Sequence, residues 1–63
     1  MARKPNQRIR LTKQLLRDSL MELMNRKPIG KITIKEICEN ADINRSTFYL
    51  YYADQYALLS EIE

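Results

Sequence analysis

Histidine and tryptophan are absent from this 63-residue chain, which also has only one cysteine, one glycine and two prolines. Without histidine the commonest general base is missing, and so is every Ser-His or Cys-His pairing, so no catalytic residue is expected. Cys38 has no second cysteine for a disulfide and no histidine with which to share a metal ion. It is expected to be a small apolar core residue in a reducing compartment, and no cofactor or metal site is expected. So little glycine and proline leaves few tight turns to join strands, while most of the remaining residues are good helix formers. No apolar run approaches the ~18 residues of a membrane span, and no signal-peptide pattern opens the chain. No membrane partner is expected, and a cytoplasmic protein is the default.

What is present is a globular composition, 44% hydrophobic and 30% charged. A chain this short makes one small domain that buries only about 60% of its unfolded surface, so its stability is expected to be thin. The net charge of +3 conceals a division. Residues 1–35 hold ten of the eleven Lys and Arg against Asp18 and Glu22, a local charge of +8. Residues 36–63 hold the other six acids and one base, Arg45, a local charge of −5. A basic half suggests a polyanion as partner, although a solvated basic arm that serves only solubility accounts for charge alone equally well.

Residues 1–10, MARKPNQRIR, carry four bases and no acid and read as a flexible basic arm. Such an arm lies along phosphates, reaches into a minor groove, or makes no contact at all. The remainder, 11–63, reads as one helical unit. A helix is expected from about Leu11, with Thr12 at its start or one turn inside. Leu16, Leu20, Leu23 and Met24 form its apolar stripe, Leu15 and Met21 widen it, and Lys13, Arg17, Asp18 and Glu22 fall on the wet side. Asp18 and Glu22 are placed to offset Lys13 and Arg17 locally. Pro28 and Gly30 stop the helix, with Arg26 and Lys27 near its negative end.

Thr33 and Glu36 have the spacing of a capping box, and Ile34, Ile37, Cys38 and Ala41 then recur at helical intervals. Two turns of helix do not stand alone in water and must pack on the first helix. Asp42 falls where the chain turns sharply and is expected in the left-handed region, which Asp and Asn tolerate better than most residues. Ile43 points back to the core and Asn44 is a strong N-cap candidate for the next helix. There Phe48 and Tyr52 face inward, while Ser46, Tyr49 and Leu50 lie on the opposite arc, flanked by Arg45 and Thr47. Asp54 is placed to cap a further helix, with Gln55, Leu58, Leu59 and Ile62 on one face. That pattern is still periodic at Glu63, as expected of a longer protein cut here or of a deliberately isolated domain. The apolar residues Ile37, Ala41, Ile43, Phe48 and Tyr51 fit the positions that lock the two helices of a helix-turn-helix, a pattern many small helical bundles also satisfy.

A longer string is more specific. ITIKEICENADINRSTFYLYYADQYALL closely resembles the N-terminal DNA-binding domain of the tetracycline-repressor (TetR/AcrR) family of bacterial regulators. The likeness rests on Thr33, Ile37-Cys38, Ala41-Asp42-Ile43-Asn44, Thr47-Phe48-Tyr49, Tyr51-Tyr52 and Asp54-Gln55, and extends over about residues 10–63. It implies an all-α, three-helix helix-turn-helix domain with the start of a fourth helix. In full-length members that helix leads into a ligand-binding and dimerisation domain, which these residues do not include. The implied function is sequence-specific binding of double-stranded DNA, by a homodimeric repressor that a small molecule releases. This sequence departs from the family pattern in having Asp42 for the usual Gly, and Gln55 where a phosphate-binding Lys often stands.

Within this reading Arg45, Ser46, Thr47, Tyr49 and Leu50 are the candidates for base contact. Arg45 pairs bidentately with guanine or clamps phosphate; Ser46 and Thr47 bond base edges or phosphates; Leu50 touches a thymine methyl or is incidentally exposed. Thr33, Lys35, Asn44, Tyr51 and Gln55 are the candidates for phosphate, with Thr33 a helix cap first. The rival reading is a helical interaction module that docks a protein on the aromatic cluster Phe48, Tyr49, Tyr51 and Tyr52.

Overall fold

The computed structural model describes residues 7–62, and among them the chain forms four α-helices and one turn of 3-10 helix, with no strand. These are α1 (Gln7–Met24), the 3-10 turn (Ile29–Lys31), α2 (Ile34–Ala41), α3 (Arg45–Tyr51) and α4 (Gln55–Ile62). The helix predicted from Leu11 starts earlier: residues 7–10, assigned to the arm, are its first turn, and Thr12 lies inside it. No Pro or Gly stands between Gln7 and Leu11 to break the helix there. The rest of the arm lies outside the described residues.

α1 packs on α2 and α4, and α2 packs on α3. At 100° per residue Leu16, Leu20 and Leu23 share one face of α1, and all three are buried with Ile32, Ile37, Cys38, Phe48, Tyr52 and Leu58. Each fully buried Leu, Ile or Phe contributes about 1.5–3 kcal/mol relative to leaving it in water. The stripe expected on α1 is corrected at three places: Met24, assigned to the stripe itself, is 38% exposed, and Leu15 and Met21, expected to widen it, are 41% and 53% exposed. α2 and α4 cover the part of α1 that carries Leu16, Leu20 and Leu23 and leave Leu15, Met21 and Met24 outside it, and the buried place between Leu16 and Leu23 belongs instead to Ser19. Its hydroxyl donates to the Ile37 carbonyl at 2.9 Å and accepts from the Asn40 amide at 2.9 Å. Asn40 also donates to Glu22 at 3.0 Å. A buried hydroxyl bonded both ways carries no unpaired penalty and fixes how α2 lies on α1.

The local signals behind α2 act as expected. Thr33 Oγ1 accepts from the Glu36 N–H and Glu36 Oε1 accepts from the Thr33 N–H, both at 3.1 Å, completing the capping box. Lys27 also binds the Glu36 carboxylate, tying the turn after α1 to the start of α2 rather than merely lying near a helix terminus. That ammonium, ahead of the Thr33 N–H, holds the Glu36 carboxyl below the usual carboxylate range. Asp42 sits in the left-handed region (φ 60, ψ 46), its N–H turned back to the Cys38 and Glu39 carbonyls. Ile43 is half-buried against the core. Asp54 Oδ1 accepts the Ala57 N–H at 2.9 Å and so caps α4.

The remaining charges on α1 depart from the expected local pairing. Lys13 and Arg17 are half-buried and reach across to Glu61 on α4, each at 3.6 Å, while Glu22 pairs with Arg26 at 3.7 Å. The reason is geometric: the α1–α4 contact brings an acid from a distant part of the chain alongside both bases. Glu61 also accepts from the buried Tyr52 hydroxyl at 2.7 Å. That bond, with Lys13 and Arg17 adding to it, lowers the Glu61 carboxyl. Burial first, and Glu61 second, push the Tyr52 phenol up to about 12.

Candidate nucleic-acid interface

α3 has seven residues, Arg45–Tyr51, and its two sides differ completely. Phe48 is fully buried, meeting the Tyr52 ring with centroids 5.6 Å apart, and Thr47 and Tyr51 are half-buried beside it. At 100° per residue Arg45, Tyr49, Ser46 and Leu50 follow one another around the opposite side, over an arc of about 140°. All four are exposed, Leu50 at 74% and Tyr49 at 55%. The Tyr49 ring is nonetheless steadied from below, edge-on to Phe48 at 5.7 Å and 85°. The predicted base-contact candidates therefore fall together on one free face, except Thr47, which stands at its margin.

Placement of the phosphate candidates is less uniform. Lys35, Thr33 and Asn44 are exposed near the starts of α2 and α3. The Thr33 hydroxyl is engaged in the capping box, which leaves the N–H groups of Ile34 and Lys35 at the helix start outside it. The side-chain cap expected from Asn44 is a correction: its backbone carbonyl accepts from the Thr47 N–H at 3.1 Å and the Phe48 N–H at 3.2 Å, and its side chain makes no cap bond. The Thr47 N–H, one of the two that the side chain would have capped, is already taken by the backbone. Gln55 is half-buried, and its amide donates to the Ile32 carbonyl at 2.6 Å, joining α4 to the segment before α2. An interior bond thus already occupies the amide nominated for phosphate. Tyr51 is half-buried, with the Lys13 ammonium 5.6 Å from its ring centroid.

The interaction-module reading fails on burial. Phe48 and Tyr52 are in the core, so the four rings present no common surface. Cys38 is likewise a buried free thiol, pushed up by desolvation, as its apolar neighbours dictate. Among the described residues no cluster of acids and cysteine suits a metal ion, and no helix is long and apolar enough to cross a membrane. Sequence reasoning passed over Ser19, Asn40 and Glu61, which hold the helices that present α3. Ser19 had a readable signal, its position between Leu16 and Leu23 on the core face; Glu61 had none, because its partners are remote in sequence.

A capped short helix, a left-handed turn and a second helix with one free face make a helix-turn-helix, the class of unit that offers a helix to the major groove. Residues 16–62 match the family described as "Bacterial regulatory proteins, tetR family". The chain belongs to that family and carries its helix-turn-helix DNA-binding unit of transcriptional regulation. It is also 34% identical over 47 residues to the "Uncharacterized HTH-type transcriptional regulator YxbF" of Bacillus subtilis (strain 168). The alignment takes in 75% of this chain and 12% of that protein, so the chain spans about an eighth of the relative's length. No solved structure matches the chain.

Proposed function

We propose that α3 is the recognition helix of a sequence-specific regulator and lies in the major groove. The observation that supports this reading is the contiguous exposed arc of Arg45, Tyr49, Ser46 and Leu50 on a helix pinned from behind by Phe48. Arg45 is the charged reader, able to donate in a fork to guanine O6 and N7; Ser46 is small enough to let the helix approach closely. Tyr49 offers a hydroxyl on a fixed ring, Leu50 an apolar surface for a thymine methyl, and Thr47 a hydroxyl at the margin. Thr33, Lys35, Asn44 and Tyr51 hold phosphates on either side of the groove, and contacts of this kind set register without reading sequence. Gln55 is the weakest member of this set, since phosphate competes with the Ile32 carbonyl for its amide.

The parent protein on this reading is a homodimeric repressor, working where the bacterial chromosome is, released from its operator by a small molecule. Two such helices then meet half-sites about 34–36 Å apart on a near-palindromic operator. The test is affinity for a duplex selected from a random library. Arg45→Ala is expected to weaken binding by ~1–3 kcal/mol if Arg45 reads a base pair. Affinity indifferent to both Arg45→Ala and Tyr49→Ala would rule out α3 as the reader.

A further inference from the structure

The seam between α1 and α4 bears on DNA binding in a way the recognition helix does not. Lys13 sits at the end of α3, its ammonium 5.6 Å from the Tyr51 ring centroid and 5.7 Å from that of Tyr52, and Arg17, one turn along α1, reaches the same acid, Glu61. Their side chains are 31% and 34% exposed, enough for a phosphate to reach them. Both instead turn to Glu61, at 3.6 Å each. An exposed carboxylate is ordinarily too mobile to hold two cations, because ordering long side chains costs about what the pairing gains. Glu61 is different: the hydroxyl of Tyr52, whose ring is in the core, is bonded to it at 2.7 Å and holds the carboxylate in place. A fixed anion between two bases leaves the cluster with a net charge of +1 where the bases alone would carry +2.

Resting on the DNA-binding reading above, we infer that Glu61 keeps Lys13 and Arg17 out of the phosphate footprint, and thereby limits how tightly the domain grips DNA of any sequence. The consequence is measurable because each phosphate that a protein cation neutralises releases bound counterions. The logarithm of affinity then falls against the logarithm of salt concentration with a slope of about −0.9 per contact. Glu61→Gln retains an oxygen for the Tyr52 hydroxyl and removes only the charge.

The experiment is a salt titration of the chain on a short mixed-sequence duplex by fluorescence anisotropy, with circular dichroism to confirm folding. For Glu61→Gln the slope is expected to steepen by about 1 to 2, with tighter binding at low salt. Neutralising both bases in the same background, Lys13→Met and Arg17→Met, is expected to restore the original slope. A folded Glu61→Gln with an unchanged slope overturns the inference. Lys13→Met and Arg17→Met, each made with Glu61 intact, decide the matter if Glu61→Gln does not fold. An unchanged slope in both supports masking, and a slope flattened by about 1 in either shows a cation already on phosphate and overturns it. A chain that binds no duplex in any form sinks the DNA-binding reading and this inference with it. Binding with the wrong slope sinks the inference alone.

Discussion

Arg45, Ser46 and Tyr49 on the outer arc of α3 hold no side-chain hydrogen bond or ion pair with another described residue. Lys13, Arg17, Tyr52 and Glu61, along the α1–α4 seam, are bonded to one another. Both regions are rich in polar groups, and both lie at the margin of the same core. The difference is one of satisfaction. Where polar groups are mutually bonded, a new partner must displace an existing bond. Where they are exposed and unbonded, a partner has only to displace water, and interaction energy is still to be gained. One small domain thus contains both kinds of surface.

The sharpest way to break that contrast is from beneath α3. Phe48→Ala removes the ring that anchors the helix, and is expected to cost about 3–5 kcal/mol. That is comparable with the whole stability of a chain this size, at roughly 0.05–0.15 kcal/mol per residue. The helical circular dichroism signal and DNA binding should be lost together; a cooperative melt near the wild-type midpoint would contradict the anchoring role. Arg45→Ala acts on the free face alone, so its loss of affinity should come with an unchanged melting midpoint. Thr33→Ala removes half the capping box and is expected to lower stability by about 1 kcal/mol, a shift of roughly 4–8 °C in the melt.

The gentlest probe is pH. The Tyr52 phenol is raised from 10.0 to about 12, so it contributes stability that is complete below pH 10 and lost as pH rises toward 12. Glu61 and Glu36 are lowered from 4.5, so their contribution is present above that value and lost as pH falls through their depressed folded-state pKa values. Melting midpoints across both ranges should decline at each end. Tyr52→Phe should flatten the alkaline decline without abolishing the acid one; an unaltered alkaline limb would detach Tyr52 from the seam.

Much of this architecture was readable from local patterns. The Thr33–Glu36 box, the left-handed Asp42, the inward Phe48 and Tyr52, and the Asp54 cap depend on neighbours within about one helical turn, which is the range over which periodicity and capping rules operate. The outward arc of α3 followed from the same periodicity. What stayed hidden depends on how whole helices meet. Lys13 and Arg17 have Asp18 and Glu22 close by in sequence, yet their partner is Glu61, brought over by the α1–α4 contact. In sequence Gln55 shares a face with Leu58, Leu59 and Ile62 and is a candidate for phosphate, and only the approach of the segment before α2 reveals its bond to Ile32. Leu15 and Met21 are apolar and helical, but no periodicity says which part of a broad stripe finds a partner.

Asp42 has a consequence for the joint between α2 and α3. Glycine at this turn would adopt φ 60 without strain, but it would also roam most widely in the unfolded chain, and confining it costs about 0.5–1 kcal/mol more than confining alanine. Aspartate has fewer conformations to surrender on folding, and once folded it has fewer wells into which the joint between α2 and α3 can slip. The joint between α2 and α3 is thus closed by a residue that surrenders less freedom on folding than glycine and carries in return some strain in the left-handed region.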